Sequence, residues 1–195
     1  PRMIWPSNYN KLAAATMFTL FFGGNDFAPA TIIEGVPIQE YLQNHYLETM
    51  RMVAERLKDL ACVIGYDVFN ETQHGFIGER NLLEDFPTLK LGPSPTPWQA
   101  IQLGSGFSQR VPIFPLGLLG IPLKKHVLVN PTGVTAWLPD RSCVWRENGV
   151  WEIDPSGVPR LLRPEHFAFV GSHRVDFTND YLLPFSQKYA EMIHS

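Results

Sequence analysis

Residues 61–71, with the sequence ACVIGYDVFNE, decide the predicted fold of this chain of 195 residues. The nearly unbroken apolar run over residues 61–69 is typical of a β-strand that is covered on both faces, as in a parallel sheet. The run ends in Asn70 and Glu71, two polar residues at the carboxyl end of the predicted strand. In α/β proteins, ligands bind at that end of the strands.

The segment before this strand predicts an amphipathic helix that begins at Pro37. Apolar residues recur there at steps of three or four and form one stripe, which consists of Ile38, Leu42, Tyr46, Met50, Val53, Leu57 and Leu60. A long amphipathic helix that leads into a buried strand is one helix–strand unit of a parallel-sheet protein. The predicted fold class is therefore α/β.

Two further helices are predicted. The first is capped by Ser7 or Asn8 and ends at the glycine pair 23–24, because serine and asparagine begin helices and glycine ends them. The last is capped by Thr178 or Asn179 and continues with apolar residues at helical spacing, which are Leu182, Phe185, Tyr189 and Ile193.

The region between these helices is rich in proline and glycine. Seven prolines from Pro87 to Pro122 predict an extended, ordered loop, because proline lacks the amide hydrogen that helices and strands use. Further on, residues 143–147 and 150–153 flank an Asn-Gly pair. This pair favours a type I′ turn, so the segment predicts a β-hairpin.

The composition excludes several classes of partner. A net charge of −3 gives no electrostatic reason to expect nucleic acid or an anionic membrane surface. The longest apolar stretch, residues 12–22, is shorter than the roughly 20 residues that span a bilayer, so we expect no transmembrane segment. The pattern predicts no cofactor and no metal ion.

The two cysteines, Cys62 and Cys143, form no disulfide framework, and we expect Cys62 to be a buried free thiol in the predicted strand. The sequence has no initiating methionine, no signal peptide and no lipidation signal. We therefore expect an intracellular protein of the cytoplasm or vacuole.

Residues 63–71, VIGYDVFNE, resemble the fourth barrel strand of glycoside hydrolase family 5, which ends in Asn-Glu-Pro. Other runs resemble one branch of that family, the endoglycoceramidase-related proteins of fungi, which include glucosylceramidases and steryl β-glucosidases. These runs cover nearly the whole chain and lie at residues 5–22, 27–29, 75–78, 94–100, 103–106, 130–133, 143–145 and 175–177.

This resemblance implies a partial (β/α)8 TIM barrel with a long Pro-rich loop and a β-hairpin insertion. Residues 1–195 are expected to be an internal part of a single catalytic domain, comprising the region of its third helix and fourth strand and the insertions that follow. The implied activity is hydrolysis of the β-glucosidic bond of a steryl glucoside, a glucosylceramide or another β-glucoside. Retaining enzymes of this kind use two carboxylates, one as acid/base and one as nucleophile.

The resemblance also assigns roles to residues of this sequence. Glu71 takes the acid/base role, Asn70 orients the substrate and the nucleophile, and His74 is a candidate substrate contact. Thr72 stands where the family has proline. The family's nucleophile lies on the seventh strand and is expected downstream of Ser195.

Two other interpretations remain open at this stage. The chain is alternatively a truncated or decayed family member without catalytic activity, which Thr72 and the missing nucleophile favour. An unrelated α/β binding module would require all the matching runs to be accidental.

Overall fold

The computed structural model describes residues 11–85, 90–115 and 123–194. Its elements are α1 (Leu12–Phe27), β1 (Ile32–Ile33), β2 (Val36–Pro37), α2 (Ile38–Leu57), β3 (Gly92–Pro93), α3 (Pro97–Gly104), β4 (Gln109–Phe114), β5 (Leu123–Val129), α4 (Val144–Glu147), β6 (Trp151–Ile153), β7 (Pro159–Leu161), β8 (Phe169–Val170), β9 (His173–Arg174), a π-helical turn (Thr178–Leu182) and α5 (Leu183–His194). The predicted α/β class is confirmed. All sheets within these residues are small and antiparallel, and none closes into a barrel.

Helices α1 and α2 pack against each other and are joined by the β1–β2 hairpin. The buried side chain of Gln43 donates to the carbonyl of Phe21 at 2.8 Å, and Gly24 lies so close to α2 that a β-carbon would come within 2.9 Å of Ile38. The predicted end of α1 at the glycine pair is confirmed only as an interruption of the helix, because Gly23 has a non-helical backbone. The backbone bends at Gly23 (φ −128°) but the helix continues to Phe27. The predicted caps Ser7 and Asn8 lie outside the described residues.

Helix α2 begins directly after Pro37, as predicted. Its apolar stripe is buried only in part: Ile38 is 8% exposed, whereas Val53 is 38% and Leu60 is 49% exposed. The first turns of α2 pack on α1, and its last turns have an uncovered apolar face. The described residues therefore cover only the first part of the apolar stripe of α2, and its last part stays exposed.

Residues 61–69 do not form the predicted strand. Their backbone has no regular secondary structure, the side chain of Ile64 is fully exposed, and Cys62 is exposed rather than buried. A strand needs neighbouring strands to bond its amide and carbonyl groups. No described strand pairs with this segment, so its apolar sequence has no sheet to join.

The Pro-rich segment is ordered where it is described, but it is not only a loop. Helix α3 begins with a capping box in which the Thr96 hydroxyl accepts from the Gln99 amide at 3.2 Å and the Gln99 side chain accepts from the Thr96 amide at 3.1 Å. Strands β3, β4 and β5 form an antiparallel sheet, with a bulge after Pro112. The local cap outweighs the general effect of the prolines, since Pro97 fits the first turn of a helix.

The predicted hairpin at residues 143–153 is also wrong. Residues 144–147 form the short helix α4, and Asn148 has a φ of −95°, whereas a type I′ turn needs positive φ at both central residues. Gly149, with a φ of 70°, follows the helix as its left-handed residue. The hairpin lies one segment later: β6 pairs with β7, and the Asp154 carboxylate accepts from the Ser156 and Val158 amides in the turn.

The predicted C-terminal helix is confirmed, with helical structure from Thr178 to His194. Its start is stabilised by Asp176, whose carboxylate accepts from the Asn179 amide at 2.8 Å, and not by a side chain of Thr178 or Asn179. Phe185 and Tyr189 are buried against α1 and α2. No helix of the described residues is both long enough and apolar enough to cross a bilayer.

Candidate active site

An aromatic cluster fixes the end of the segment 61–69. Phe69 stacks on Tyr46 of α2 with ring centroids 4.6 Å apart, and it also contacts Phe21 of α1 and Phe185 of α5. The Tyr46 hydroxyl donates to the carbonyl of Val68 at 2.6 Å. Three helices therefore hold the backbone immediately before Asn70, although the segment has no strand neighbours.

Asn70 and Glu71 follow this anchor and are both exposed to solvent. Glu71 has a φ of 53°, in the left-handed region that disfavours residues with a β-carbon. Thr72 is half-buried, and its hydroxyl has no hydrogen-bond partner among the described residues. The chain thus makes a sharp turn at the candidate acid/base residue.

The loop after Glu71 is held tightly on α1. The buried Thr19 hydroxyl donates to the carbonyl of Ala15 at 2.7 Å and accepts from the Phe76 amide at 2.8 Å. Gly75 has a φ of 64°, and a β-carbon there would lie 2.5 Å from the Thr19 hydroxyl oxygen and would also clash with the carbonyl of Ala15. Only glycine fits this contact, so the position of the loop is set by two residues of α1.

His74 lies at the start of this loop and lines a cavity of about 530 Å³ whose wall contains both charged and apolar residues. Its Nδ1 atom lies 3.1 Å from the Ile77 carbonyl, and its ring contacts Phe177. Burial lowers the pKa of His74 below its ordinary value, against the opposing effect of the Ile77 carbonyl. The imidazole is therefore held neutral near pH 7.

The same cavity contains Glu79, which sequence reasoning missed. Burial, together with the nearby charge of Glu84, raises the pKa of Glu79 to about 7. The cavity lining includes His74 and Glu79 but neither Asn70 nor Glu71. The structure therefore brings His74 together with another titratable group, the Glu79 carboxyl. It does not place His74 in one cavity with Asn70 and Glu71. No signal in the sequence marks Glu79, since its burial depends on residues from 175–177.

Within the described ranges, no three side chains of His, Cys, Asp or Glu are grouped so that they could hold a metal ion. The hydrogen-bonding side chains of the cavity around His74 are carboxylates and one guanidinium, and the ring of Phe177 adds an aromatic face. Such groups suit a polyhydroxylated ligand better than an apolar one.

Comparison with known proteins places this α/β chain beside fungal lipid glycosidases. It is 39% identical over 199 residues to a glucosylceramidase of Rhizopus delemar and 36% identical over 213 residues to an ergosteryl-beta-glucosidase of Saccharomyces cerevisiae. These alignments cover 99% and 91% of this chain but only 29% and 28% of the two relatives. No family model matches the chain.

The fold gives the same result. A crystal structure of sterylglucosidase 1 of Cryptococcus neoformans matches 99% of this chain, with a TM-score of 0.89 and 34% sequence identity, over 31% of its own length. The resemblance to the glucosylceramidase and steryl β-glucosidase branch is therefore confirmed in sequence and in structure. The chain spans less than a third of each of these relatives.

Proposed function

We propose that this chain supplies the acid/base part of a retaining β-glucosidase that acts on a glycolipid. The observation that carries the proposal is the Asn70–Glu71 pair, in a chain that aligns over 91–99% of its length with a glucosylceramidase and an ergosteryl-beta-glucosidase. Glu71 protonates the glycosidic oxygen in the first step and then, as a carboxylate, activates the water that releases the sugar. Asn70 orients the sugar and the nucleophile.

The proposal requires structure beyond these 195 residues. The nucleophilic carboxylate of a retaining enzyme lies roughly 5–5.5 Å from the acid/base group, and a general acid needs a site that excludes water. Glu71 is exposed here. In the proposed enzyme, residues 61–69 are a barrel strand, and its neighbouring strands bury this residue and provide the nucleophile.

The test uses a chimera in which these 195 residues replace the matching segment of the S. cerevisiae ergosteryl-beta-glucosidase. Glu71→Gln should lower turnover of a steryl glucoside about 10²–10⁴-fold. An activated aryl glucoside should be affected less in the first step, because its leaving group needs little protonation. Glu147→Gln, at an exposed carboxylate of α4, is the matched control. Unchanged steryl glucoside turnover in Glu71→Gln would refute the assignment.

A non-catalytic member of the same branch is the second candidate. Thr72 favours it, since the family's proline would fix the turn after the acid/base residue. This candidate predicts that the chimera folds, with a cooperative thermal transition, but does not hydrolyse either substrate with Glu71 intact. Activity that depends on Glu71 would exclude it.

A further inference from the structure

A second cavity, of about 650 Å³, lies between the first turns of α1, helix α3 and the loop of residues 130–137. Its walls are mostly apolar and include Leu12, Met17, Leu103 and Trp137. The volume lies within the range of roughly 300–1,000 Å³ that is typical of small-molecule sites. We call this space the apolar cavity.

Apart from the Trp137 indole, whose N–H has no hydrogen-bond partner among the described residues, the polar side chains in the wall of the apolar cavity are already bonded to the protein. The Asn130 amide donates to the Leu103 and Val134 carbonyls and accepts from the Val134 amide. The Thr135 hydroxyl donates to the carbonyl of Gly104, and the Thr16 hydroxyl accepts from the indole of Trp145. A ligand with many hydroxyl groups would therefore find few free partners here.

Among the described residues, the cavity wall also offers no free charge. Lys11 is the only charged residue that these residues contribute to the lining, and its ammonium donates to the Pro93 carbonyl at 2.9 Å. Burial lowers the pKa of Lys11 below its ordinary value. An anionic ligand would have to break this contact, so the site suits a neutral, apolar molecule.

The apolar cavity and the candidate active site share their supports. Thr16 and Met17 line the cavity from one side of α1, and Thr19 on an adjacent face of the same helix holds the loop that follows Glu71. The opposite wall comes from residues within 95–104 and 130–137, which belong to the long connection between Glu71 and α5. In barrel enzymes, connections from a strand to the next helix lie at the catalytic face.

We propose that the apolar cavity binds the lipid aglycone of the substrate, a sterol or ceramide, while the sugar lies at Glu71. This proposal rests on the proposed function, which gives the substrate one polar and one apolar part. An apolar ligand binds best where the polar groups of the wall already have hydrogen-bond partners, and among the described residues every polar side chain of the apolar cavity except the Trp137 indole has one.

The proposal is tested by measuring the binding of dehydroergosterol to the 195-residue chain. The fluorescence of the sterol reports the binding. Ala13 and Ala136 line the cavity and are exposed, so Ala13→Phe and Ala136→Phe should fill it and weaken binding at least tenfold. Ala30→Phe adds the same ring at an exposed residue outside the cavity lining and should leave the affinity unchanged. A fluorescent ceramide in the same assay distinguishes the two kinds of lipid.

Two results of the binding assay would overturn the proposal: no saturable binding of either lipid to the unsubstituted chain, or equal binding by the filled variants. A fall in the melting temperature of the chimera with Ala13→Phe would also overturn it, because the cavity would then be filled by the rest of the enzyme. Glu71→Gln should leave lipid binding unchanged. If the chain binds lipid saturably but the chimera hydrolyses no substrate, the proposed function is rejected and the lipid site is kept. If chimeras with Ala13→Phe or Ala136→Phe still hydrolyse steryl glucosides, only the lipid site is rejected.

Discussion

Gly75 is the residue with the least freedom to change near the candidate site. Replacement by alanine places a β-carbon against the backbone of α1 and keeps a positive φ. We expect Gly75→Ala to lower the free energy of unfolding by about 2–4 kcal/mol, from left-handed strain and overpacking together. Gly65→Ala is the control, because a β-carbon at Gly65 meets open space. Urea unfolding of both variants measures the difference, and equal stabilities would contradict the described loop position.

Two half-buried histidines, His74 and His166, make the fold sensitive to acid. The Nε2 atom of His166 lies 2.8 Å from the Phe27 carbonyl, and burial lowers the pKa of His166 and of His74. The unfolded chain binds protons first as the pH falls below about 6.5. Stability is therefore present above that pH and is lost as the pH falls towards the folded pKa values.

Glu79 acts in the opposite direction. Its folded pKa of about 7 lies above its ordinary value, so the folded state takes up this proton first as the pH falls from 7, and the uptake adds stability. We expect His166→Gln to reduce the loss of stability between pH 7.5 and 5.5, and Glu79→Gln to increase it. Urea midpoints at the two pH values measure both effects. A change of the same sign in both variants would contradict this assignment.

The sequence is more informative about some of these residues than about others. Asn70 and Glu71 could be proposed as site residues because the order of residues itself carries the pattern, and no contact is needed to recognise it. Glu79 and Thr19 were not found, because their roles arise from burial by Phe177 and by the loop at Phe76, which are distant in sequence. The positive φ of Glu71 is likewise a result of packing.

At the scale of elements, the contact between α1 and the loop after Glu71 depends on one hydroxyl. Thr19→Val keeps the shape of the side chain but removes the group that accepts from the Phe76 amide. We expect Thr19→Val to lower the free energy of unfolding by about 1–3 kcal/mol, because the Phe76 amide lies at a buried contact and would lose its acceptor. Thr49→Val removes a similar bond, from Thr49 to the His45 carbonyl, at an exposed site of α2. It should change stability by less than about 0.5 kcal/mol.

Thermal melts of the two threonine variants, side by side, measure the contrast. Equal shifts in both would mean that the Thr19 bond does not hold the loop. In the chimera, Thr19→Val should lower turnover more than substrate affinity, since a looser loop misplaces Glu71 more than it alters the binding surface.

The sequence predicted correctly those helices and strands whose signals lie within the element or next to it. It did not predict those that depend on contacts with residues distant in sequence. The start of α2 follows from Pro37, the residue that precedes the helix, and from the apolar spacing within it, so both signals are local. The strand at residues 61–69 required neighbours that the described residues do not provide. At Asn148, the side chain bonds the Ala30 amide and the Thr31 hydroxyl. These contacts, more than a hundred residues away, accompany the helical turn that stands in place of the predicted hairpin.

At the scale of the whole molecule, the chain has an apolar face that none of its described residues covers. Ile64 is fully exposed and lines a cleft of about 860 Å³ with Leu57 and Val63. The chain spans about three-tenths of the length of its relatives. Its structural match to the sterylglucosidase covers 99% of the chain. We interpret this face as the surface on which barrel strands lie in the proposed enzyme.

The uncovered face should bind hydrophobic dyes and promote self-association. Ile64→Lys should reduce both, with a change in stability of less than about 0.5 kcal/mol, because the native side chain is exposed. Val158→Lys adds the same charge at an exposed residue of the β6–β7 turn and should leave dye binding nearly unchanged. Dye fluorescence and light scattering measure the effects. Equal reductions in both variants would show that charge alone, rather than this face, is responsible.

The hydrogen bond from the Trp145 indole to the Thr16 hydroxyl joins residues 129 positions apart. Tyr181 and Asp26 are bonded across 155 positions, so α1 receives its partners from far along the chain. On a ribosome that adds about 5–20 residues per second, α1 waits on the order of ten seconds before Trp145 has been made. Contacts of such high sequence separation also slow folding, because loop closure precedes their stabilising effect. Helix α2 is made soon after α1, but the part of α1 that packs on Trp145 and Tyr181 stays uncovered for longer during synthesis.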